Sequence, residues 1–172
     1  MAKNAKKAAM FIAFEGFRDE EYSEPKKILE AAGVKVDTVS TAKGQASGKF
    51  GAAAPVDKTI DEINPADYDA LLLVGGPGAL GHLDNAAVHS IFKKAASLGR
   101  LIGAICISPV VLAHAGLLRG KKAAVWPDGA GELEKAGALC TGAEVETDGN
   151  IITASGPVPA RAYGMALVRA LK

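Results

Sequence analysis

Apolar runs of strand length alternate along this chain with segments whose apolar residues recur at helical spacing. Ala8–Phe14, Val34–Ser40, Ala70–Val74 and Leu101–Ile105 have the length and composition of buried strands. The segments between them fit amphipathic helices. This alternation predicts right-handed βαβ units. We therefore expect an α/β three-layer sandwich, with a mostly parallel central sheet, helices on both faces and a flavodoxin-like topology.

Proline, glycine and asparagine mark the boundaries of these elements. The helix after the first strand is expected to end near Ala32, and Pro25 fits that helix only in its first turn, where its missing N–H costs nothing. Asn85 is predicted to cap a helix that Gly99 ends. The segment Gly44–Pro55, rich in Gly, Ala and Lys, predicts a loop or a weak edge hairpin.

The end of the chain predicts a hairpin followed by a helix. Asp148-Gly149 is typical of the tight turn between two strands, here Ala143–Thr147 and Ile151–Ala154. Ala160–Leu171 has the apolar spacing of a closing helix.

Composition and charge narrow the class of protein. No internal repeat or linker is visible, so residues 1–172 are expected to form one domain, with a disordered start over residues 1–7. A net charge of +1 provides no field that would attract nucleic acid. No apolar run approaches the roughly 20 residues that span a bilayer, and no signal peptide is recognisable. We expect a cytoplasmic protein with reduced thiols and neither a nucleic-acid nor a membrane partner.

Cys106 is the main candidate for chemistry. It directly follows the strand Leu101–Ile105 and precedes a helix start at Pro109, which is the arrangement of a nucleophile elbow. A helix N-terminus favours thiolate, so the pKa of this thiol is expected to lie well below the usual value of about 8.5. The alternative is a buried structural cysteine. Cys140, on another predicted strand, is interpreted as structural.

A glycine-rich loop, Gly75–Gly81, follows another central strand. It contains the spacing G-x-G-x-x-G, but a dinucleotide site needs an acidic residue at the end of the next strand, where Ile105-Cys106 stand instead. Backbone N–H groups of Gly76 and Ile107 fit better as an oxyanion hole beside the elbow. The alternative for the loop is a plain tight turn.

Three motifs together resemble the ThiJ/PfpI superfamily, which has the class I glutamine amidotransferase-like fold. They are Gly75-Gly76 after a strand, the run Ala104–Pro109 around the cysteine, and Ser155–Pro157 near the end. The resemblance extends from Ala8 to Leu171. It implies a homodimer or a larger homo-oligomer.

The resemblance also implies a glutamate, four residues before a proline, that hydrogen-bonds the cysteine. Glu21 stands four residues before Pro25 and fills this place, in preference to Glu20 or Asp19. A carboxyl that holds or shares a proton can stabilise the thiolate. Without the resemblance, Glu21 would be interpreted as one more solvated charge.

The histidines depart from the pattern of the superfamily. Ile107 stands where many members have a histidine directly after the cysteine, and Trp126 stands at a second histidine position. Of the three histidines, His82 follows the glycine-rich loop and is within reach of the crevice, whereas His89 and His114 are expected on helix surfaces. Acyl transfer normally needs a general base, so peptidase and amidotransferase activities are disfavoured.

The expected pocket around Cys106 contains Trp126, His82, Arg18 and Ser155. The alternative for Trp126 is that its side chain fills the hydrophobic core and does not line the pocket. No cluster of residues has metal-ligand spacing, and neither a metal nor another cofactor is expected.

Three functions remain open, in order of preference. The first is a cysteine-dependent enzyme that acts on small electrophiles in the manner of glyoxalases, deglycases or hydratases, with catalytic Cys106 and Glu21 and a small-molecule substrate. The second is a redox sensor or stress-protective protein in which an oxidisable Cys106 acts without turnover. The third is an intracellular cysteine peptidase or amidase.

Overall fold

The computed structural model describes residues 4–172 and has the expected α/β architecture. The strands are β1 (Lys7–Phe11), β2 (Glu15–Phe17), β3 (Lys35–Ser40), β4 (Gly44–Gly48), β5 (Ala53–Val56), β6 (Lys58–Thr59), β7 (Ala70–Leu73), β8 (Leu101–Ile105), β9 (Lys122–Ala123), β10 (Leu139–Cys140), β11 (Val145–Asp148) and β12 (Ile151–Ala154). The helices are α1 (Asp19–Ala31), α2 (Ala86–Ser97), α3 (Pro109–His114), α4 (Ala130–Lys135) and α5 (Ala160–Leu171). Short 3₁₀ turns cover Ile60–Glu62, Pro65–Asp67, Pro77–His82 and Pro127–Gly129.

Seven strands form the central sheet, in the order β11-β12-β8-β7-β1-β3-β6. All neighbouring pairs are parallel except the predicted hairpin β11–β12, which is antiparallel. The carboxyl ends of β1, β7 and β8 meet at one edge, so the segments that follow these strands share a crevice.

Alternate residues of the buried strands face opposite helical layers, because side chains along a strand point to the two faces in turn. Leu71 belongs to a core cluster with Phe92 of α2 and Leu112 of α3. Leu72 belongs to a second cluster with Leu29 of α1 and residues of α5. The two clusters are the two helix–sheet interfaces of the three-layer sandwich.

The predicted loop or hairpin over residues 44–55 is a hairpin. Its strands β4 and β5 are antiparallel, and β2 joins them in a small second sheet. The carboxylate of Asp19 accepts hydrogen bonds from the N–H groups of Phe50 and Ala52, each at 2.8 Å. Since Asp19 is the first residue of α1, the turn of this hairpin is fastened to the start of that helix.

Pro25 lies in the second turn of α1, and its predicted place in the first turn was wrong, because the helix begins at Asp19. Proline has no N–H, so it cannot bond the carbonyl of Glu21, four residues earlier. The helix α5 passes close to this point: a Cβ built at Gly164 would lie 3.0 Å from the Cα of Pro25. Packing between α1 and α5 thus overrides the local preference against proline inside a helix.

The start of the chain is ordered from Lys7, the first residue of β1, although residues 1–7 were expected to be disordered. The carbonyl of Lys6 also accepts a hydrogen bond from the N–H of Lys35, at 2.8 Å. Residues 1–3 of that expectation lie outside the described residues. Within residues 4–172, the helices are too short or too polar to cross a membrane.

Candidate functional site

Cys106 occupies a strained backbone position between β8 and α3. Its φ is +66°, the only positive value for a residue other than glycine in residues 4–172. This left-handed conformation is unfavourable for a side chain and needs support from its surroundings. The support comes from both sides: the N–H of Cys106 donates to the carbonyl of Ala154 at 2.9 Å, and the N–H of Trp126 donates to the carbonyl of Cys106 at 2.7 Å. This is the predicted elbow geometry, with a half-buried thiol.

Two backbone N–H groups face the sulfur of Cys106. They belong to Gly76 and Ile107, and both hydrogen bonds favour the thiolate by lowering the pKa of the thiol. Gly76 has a φ of +112°, and a Cβ there would lie 2.6 Å from the carbonyl oxygen of Gly16. Only glycine fits at this position, so the loop conformation that aims its N–H at the sulfur depends on it.

Glu21 lies on α1 and is fully buried. Its Oε2 accepts a hydrogen bond from the N–H of Gly75 at 3.1 Å, while Oε1 has no hydrogen-bond partner in residues 4–172. A Cβ built at Gly75 would lie 2.5 Å from the Cβ of Cys106 and 2.7 Å from Oε2 of Glu21. The carboxyl of Glu21 and Cys106 therefore both pack against Gly75, and a side chain at this position would overlap them.

Burial governs the titration of this pair. It raises the pKa of Glu21 to about 7, against the lowering effect of hydrogen bonds from Cys106 and Gly75. Burial, the charge of Glu21 and the hydrogen bond to that carboxyl raise the pKa of the Cys106 thiol to about 12. The predicted lowering of the thiol pKa was wrong, because desolvation and the carboxylate outweigh the two N–H groups. Near neutral pH the carboxyl of Glu21 therefore titrates while the thiol of Cys106 keeps its proton.

A cavity of about 230 Å³ opens above Cys106. Two of the predicted pocket residues, Arg18 and Trp126, line it, and so do Gly76 and Ile107. Sequence reasoning missed the rest of the wall: Lys49, Pro77, Leu80, Asp128 and Pro157. Lys49 reaches the cavity because its hairpin is fastened to α1, a long-range contact for which the local sequence carries no signal.

His82 and Ser155, also predicted for the pocket, do not line this cavity. His82 borders a separate, water-sized space beside β1 and β7. Ser155 lines a neighbouring groove, which shares Trp126 and Arg18 with the cavity. No histidine is among the residues that line the cavity above Cys106.

The other two histidines and the second cysteine have structural contacts. His89 and His114 lie on α2 and α3, as expected, and both are partly exposed. His89 bonds the carbonyl of Leu83, and His114 lies between two carboxylates. Cys140 ends β10, and its thiol donates to the carbonyl of Ala130 at 3.7 Å. Residues 4–172 contain no group of three or more His, Cys, Asp or Glu arranged to hold a metal ion.

Comparison with known proteins gives consistent matches over the whole fold. The model of the DJ-1/PfpI family matches residues 6–170. An uncharacterized protein of Methanocaldococcus jannaschii is 45% identical over 173 residues, covering 99% of this chain and 84% of that protein. A Pyrococcus horikoshii protein named deglycase is 34% identical over 163 residues, covering 95% and 98%. The crystal structure of a ThiJ/PfpI domain protein from Brachyspira murdochii matches with a TM-score of 0.96 at 28% identity, covering 98% of each chain.

Proposed function

This chain belongs to the DJ-1/PfpI family, and we propose that it is a cysteine-dependent enzyme that acts on small carbonyl electrophiles such as 2-oxoaldehydes. The observation that carries the proposal is that the thiol of Cys106, on a strained backbone, and the buried carboxyl of Glu21 both lie next to Gly75. They lie beside a cavity of about 230 Å³ that Cys106 lines. A volume of this size accommodates a molecule of a few carbon atoms. The name deglycase, given to the Pyrococcus horikoshii relative, supports the same class of chemistry.

In the proposed first step, Cys106 attacks the aldehyde carbon. The carboxylate of Glu21 takes the thiol proton as the sulfur–carbon bond forms, and the N–H groups of Gly76 and Ile107 hold the negative oxygen. The pKa of Glu21, raised to about 7, suits a group that accepts and returns a proton near neutral pH. A general base also removes the need for a preformed thiolate, which the raised pKa of Cys106 disfavours.

With methylglyoxal the remaining steps lead to lactate. Glu21 returns its proton to the oxygen, which gives a hemithioacetal. It then moves the hydrogen of the aldehyde carbon to the neighbouring carbonyl oxygen, which gives an enediol, and moves the hydroxyl proton of the first carbon to the second carbon, which forms the new carbonyl group. The product is a thioester of Cys106. Water cleaves it, which releases lactate and restores the thiol. The sum is methylglyoxal plus water to lactate, in which one carbon is oxidised, its neighbour is reduced, and no other oxidant is needed.

One carboxyl is sufficient for these proton transfers, whereas peptide cleavage also requires a group that protonates the leaving amine. No histidine lines the cavity, so we rank a peptidase or amidase last. The second candidate is redox sensing at Cys106, since the two N–H groups that face the sulfur would also stabilise a sulfinate. Its weakness is the raised thiol pKa, because thiolate is the form that is oxidised.

The test measures lactate from methylglyoxal with the purified full chain. We expect Cys106→Ala to lower kcat/KM at least ~1,000-fold and the matched variant Cys140→Ala to stay within about twofold of wild type. The absence of product from methylglyoxal, glyoxal and related aldehydes would contradict the enzyme. If mild peroxide then added two oxygen atoms to Cys106 alone, as read by peptide mass, redox sensing would replace the enzyme as the proposed function.

A cytoplasmic location and a homo-oligomer remain predictions.

A further inference from the structure

One wall of the cavity above Cys106 carries two cations that flank one aromatic ring. The guanidinium carbon of Arg18 lies 4.7 Å from the centre of the Phe50 ring, and Nζ of Lys49 lies 5.3 Å from the same centre. Arg18 and Lys49 both line the cavity. Phe50 is an exposed aromatic residue, and its contact with both cations favours conformations that keep them at the mouth.

This cationic wall is held in place by the backbone. Asp19 binds the N–H groups of Phe50 and Ala52, and the N–H of Lys49 donates to the carbonyl of Phe17 at 2.8 Å. A side chain at Gly48 would overlap the carboxylate of Asp19. The turn is therefore tightly packed against the start of α1, so the position of Lys49 relative to Cys106 is defined by the fold.

The charges at the mouth are unevenly matched. Nε of Arg18 pairs with Glu20 at 2.7 Å, and this pair is partly open to water. Lys49 has neither an ion pair nor a side-chain hydrogen bond within residues 4–172. Asp128 also lines the cavity and has no ion pair in the described part of the chain. The lining thus contains two cations, of which Arg18 is paired with Glu20, and one carboxylate, that of Asp128.

We propose that this site prefers electrophiles that carry a carboxylate beside the reactive carbon, with the carboxylate directed towards Lys49 and Arg18. The inference rests on the proposed function and adds a substrate class to it. The N–H groups of Gly76 and Ile107 are needed for the oxygen that becomes negative during the reaction. A second negative group then requires other partners, and Lys49, which has no ion pair within residues 4–172, lines the cavity.

Two alkylating reagents test this charge selection without turnover. Iodoacetate and iodoacetamide have the same reactive carbon and differ by one negative charge. The ratio of their rate constants at Cys106 is measured by peptide mass, and 2-mercaptoethanol provides the ratio for an open thiol. We expect the ratio at Cys106 to be about tenfold higher than at 2-mercaptoethanol and to fall as salt rises from about 0.02 to about 0.5 M.

Variants then locate the effect. Lys49→Gln should lower the ratio about threefold, and Asp128→Asn should raise it about twofold. Lys93→Gln is the matched control, since Lys93 is an exposed lysine of α2 away from the cavity and should leave the ratio unchanged. A ratio no higher than that of 2-mercaptoethanol, or one that Lys49→Gln and Lys93→Gln change equally, would overturn the proposal.

The two proposals can fail separately. A high ratio that Lys49→Gln lowers, in a protein that turns over no aldehyde, would preserve the charge selection and contradict the enzyme. Turnover of neutral methylglyoxal, together with a ratio no higher than that of 2-mercaptoethanol, would support the enzyme and contradict the charge selection. If neither reagent reached Cys106 in the folded chain, both proposals would be contradicted, because each requires an accessible thiol.

Discussion

The two cysteines of this chain have similar exposure and different surroundings. Both are half-buried, and burial is the leading cause that raises the thiol pKa of each. Cys140 lies on the short strand β10 and donates to one carbonyl, that of Ala130. Cys106 lies at an elbow with left-handed backbone. Its sulfur accepts hydrogen bonds from two backbone N–H groups, and its thiol is hydrogen-bonded to the carboxyl of Glu21. Exposure alone therefore does not distinguish a candidate nucleophile from a structural thiol.

What distinguishes Cys106 is a set of features that cost stability. A strained φ, a fully buried carboxyl and a carboxyl oxygen without a hydrogen-bond partner are each unfavourable for folding. Within residues 4–172, no residue near Cys140 other than glycine has a positive φ. Such local costs are typical of functional sites, where they are balanced by the packing of the rest of the domain.

The same substitution should have opposite effects in the two regions. In Gly75→Ala, the new methyl group would lie 2.5 Å from the Cβ of Cys106 and 2.7 Å from Oε2 of Glu21. We expect the free energy of unfolding to fall by about 3 kcal/mol, because backbone and buried atoms must shift. Gly131→Ala, on α4 near Cys140, meets no atom within 4 Å and should raise it by about 0.5 kcal/mol. Urea unfolding of both variants measures this.

Equal effects of the two alanines would show that Gly75 is not in tight contact with Cys106 and Glu21. Alkylation of Cys106 in folded Gly75→Ala gives a second readout. The rate should change there and remain at the wild-type value in Gly131→Ala, because only the first substitution separates the carboxyl from the sulfur.

A pH titration of stability should reveal the buried carboxyl. The pKa of Glu21 rises from an ordinary 4.5 to about 7 in the folded chain, so the native state binds the proton more tightly than the unfolded state. Stability from this group is complete below about pH 4.5 and is lost as pH rises to about 7, by about 3 kcal/mol in total. Glu21→Gln lacks this carboxyl and should not show the loss, so the difference in stability between wild type and variant should change by about 3 kcal/mol between pH 4.5 and 7. A difference that does not vary between pH 4.5 and 7 would contradict the raised pKa.

The smallest expected effect concerns the pH dependence of alkylation by iodoacetamide. If Glu21 is the base for Cys106, the rate at this thiol rises about tenfold between pH 6 and 8 and then levels off, following a pKa of about 7. The rate at Cys140 has no such base and should keep rising with pH, since burial raises its pKa. Peptide mass separates the two sites. Persistence of the step near pH 7 in Glu21→Gln would assign it to another group.

Sequence by itself determined the architecture and the location of the candidate site. Buried strands such as Leu101–Ile105 were predicted with their observed bounds, because an uninterrupted apolar run between turn signals has few other solutions. The elbow at Cys106 was also predictable, since a strand, one residue and a helix start follow each other directly along the chain. Glu21 was found only through the spacing to Pro25 that the family resemblance implies.

Only the tertiary structure decided the electrostatics and the wall of the cavity. The pKa of Cys106 is raised because burial and the charge of Glu21, 85 residues away along the chain, outweigh the local N–H groups. Lys49 reaches the cavity because Asp19 fastens its hairpin, and His82 lies outside it although it follows the glycine-rich loop. Periodicity along the chain reports which face of an element is buried. It carries no information on how separate elements dock, and docking determines desolvation and charge contacts.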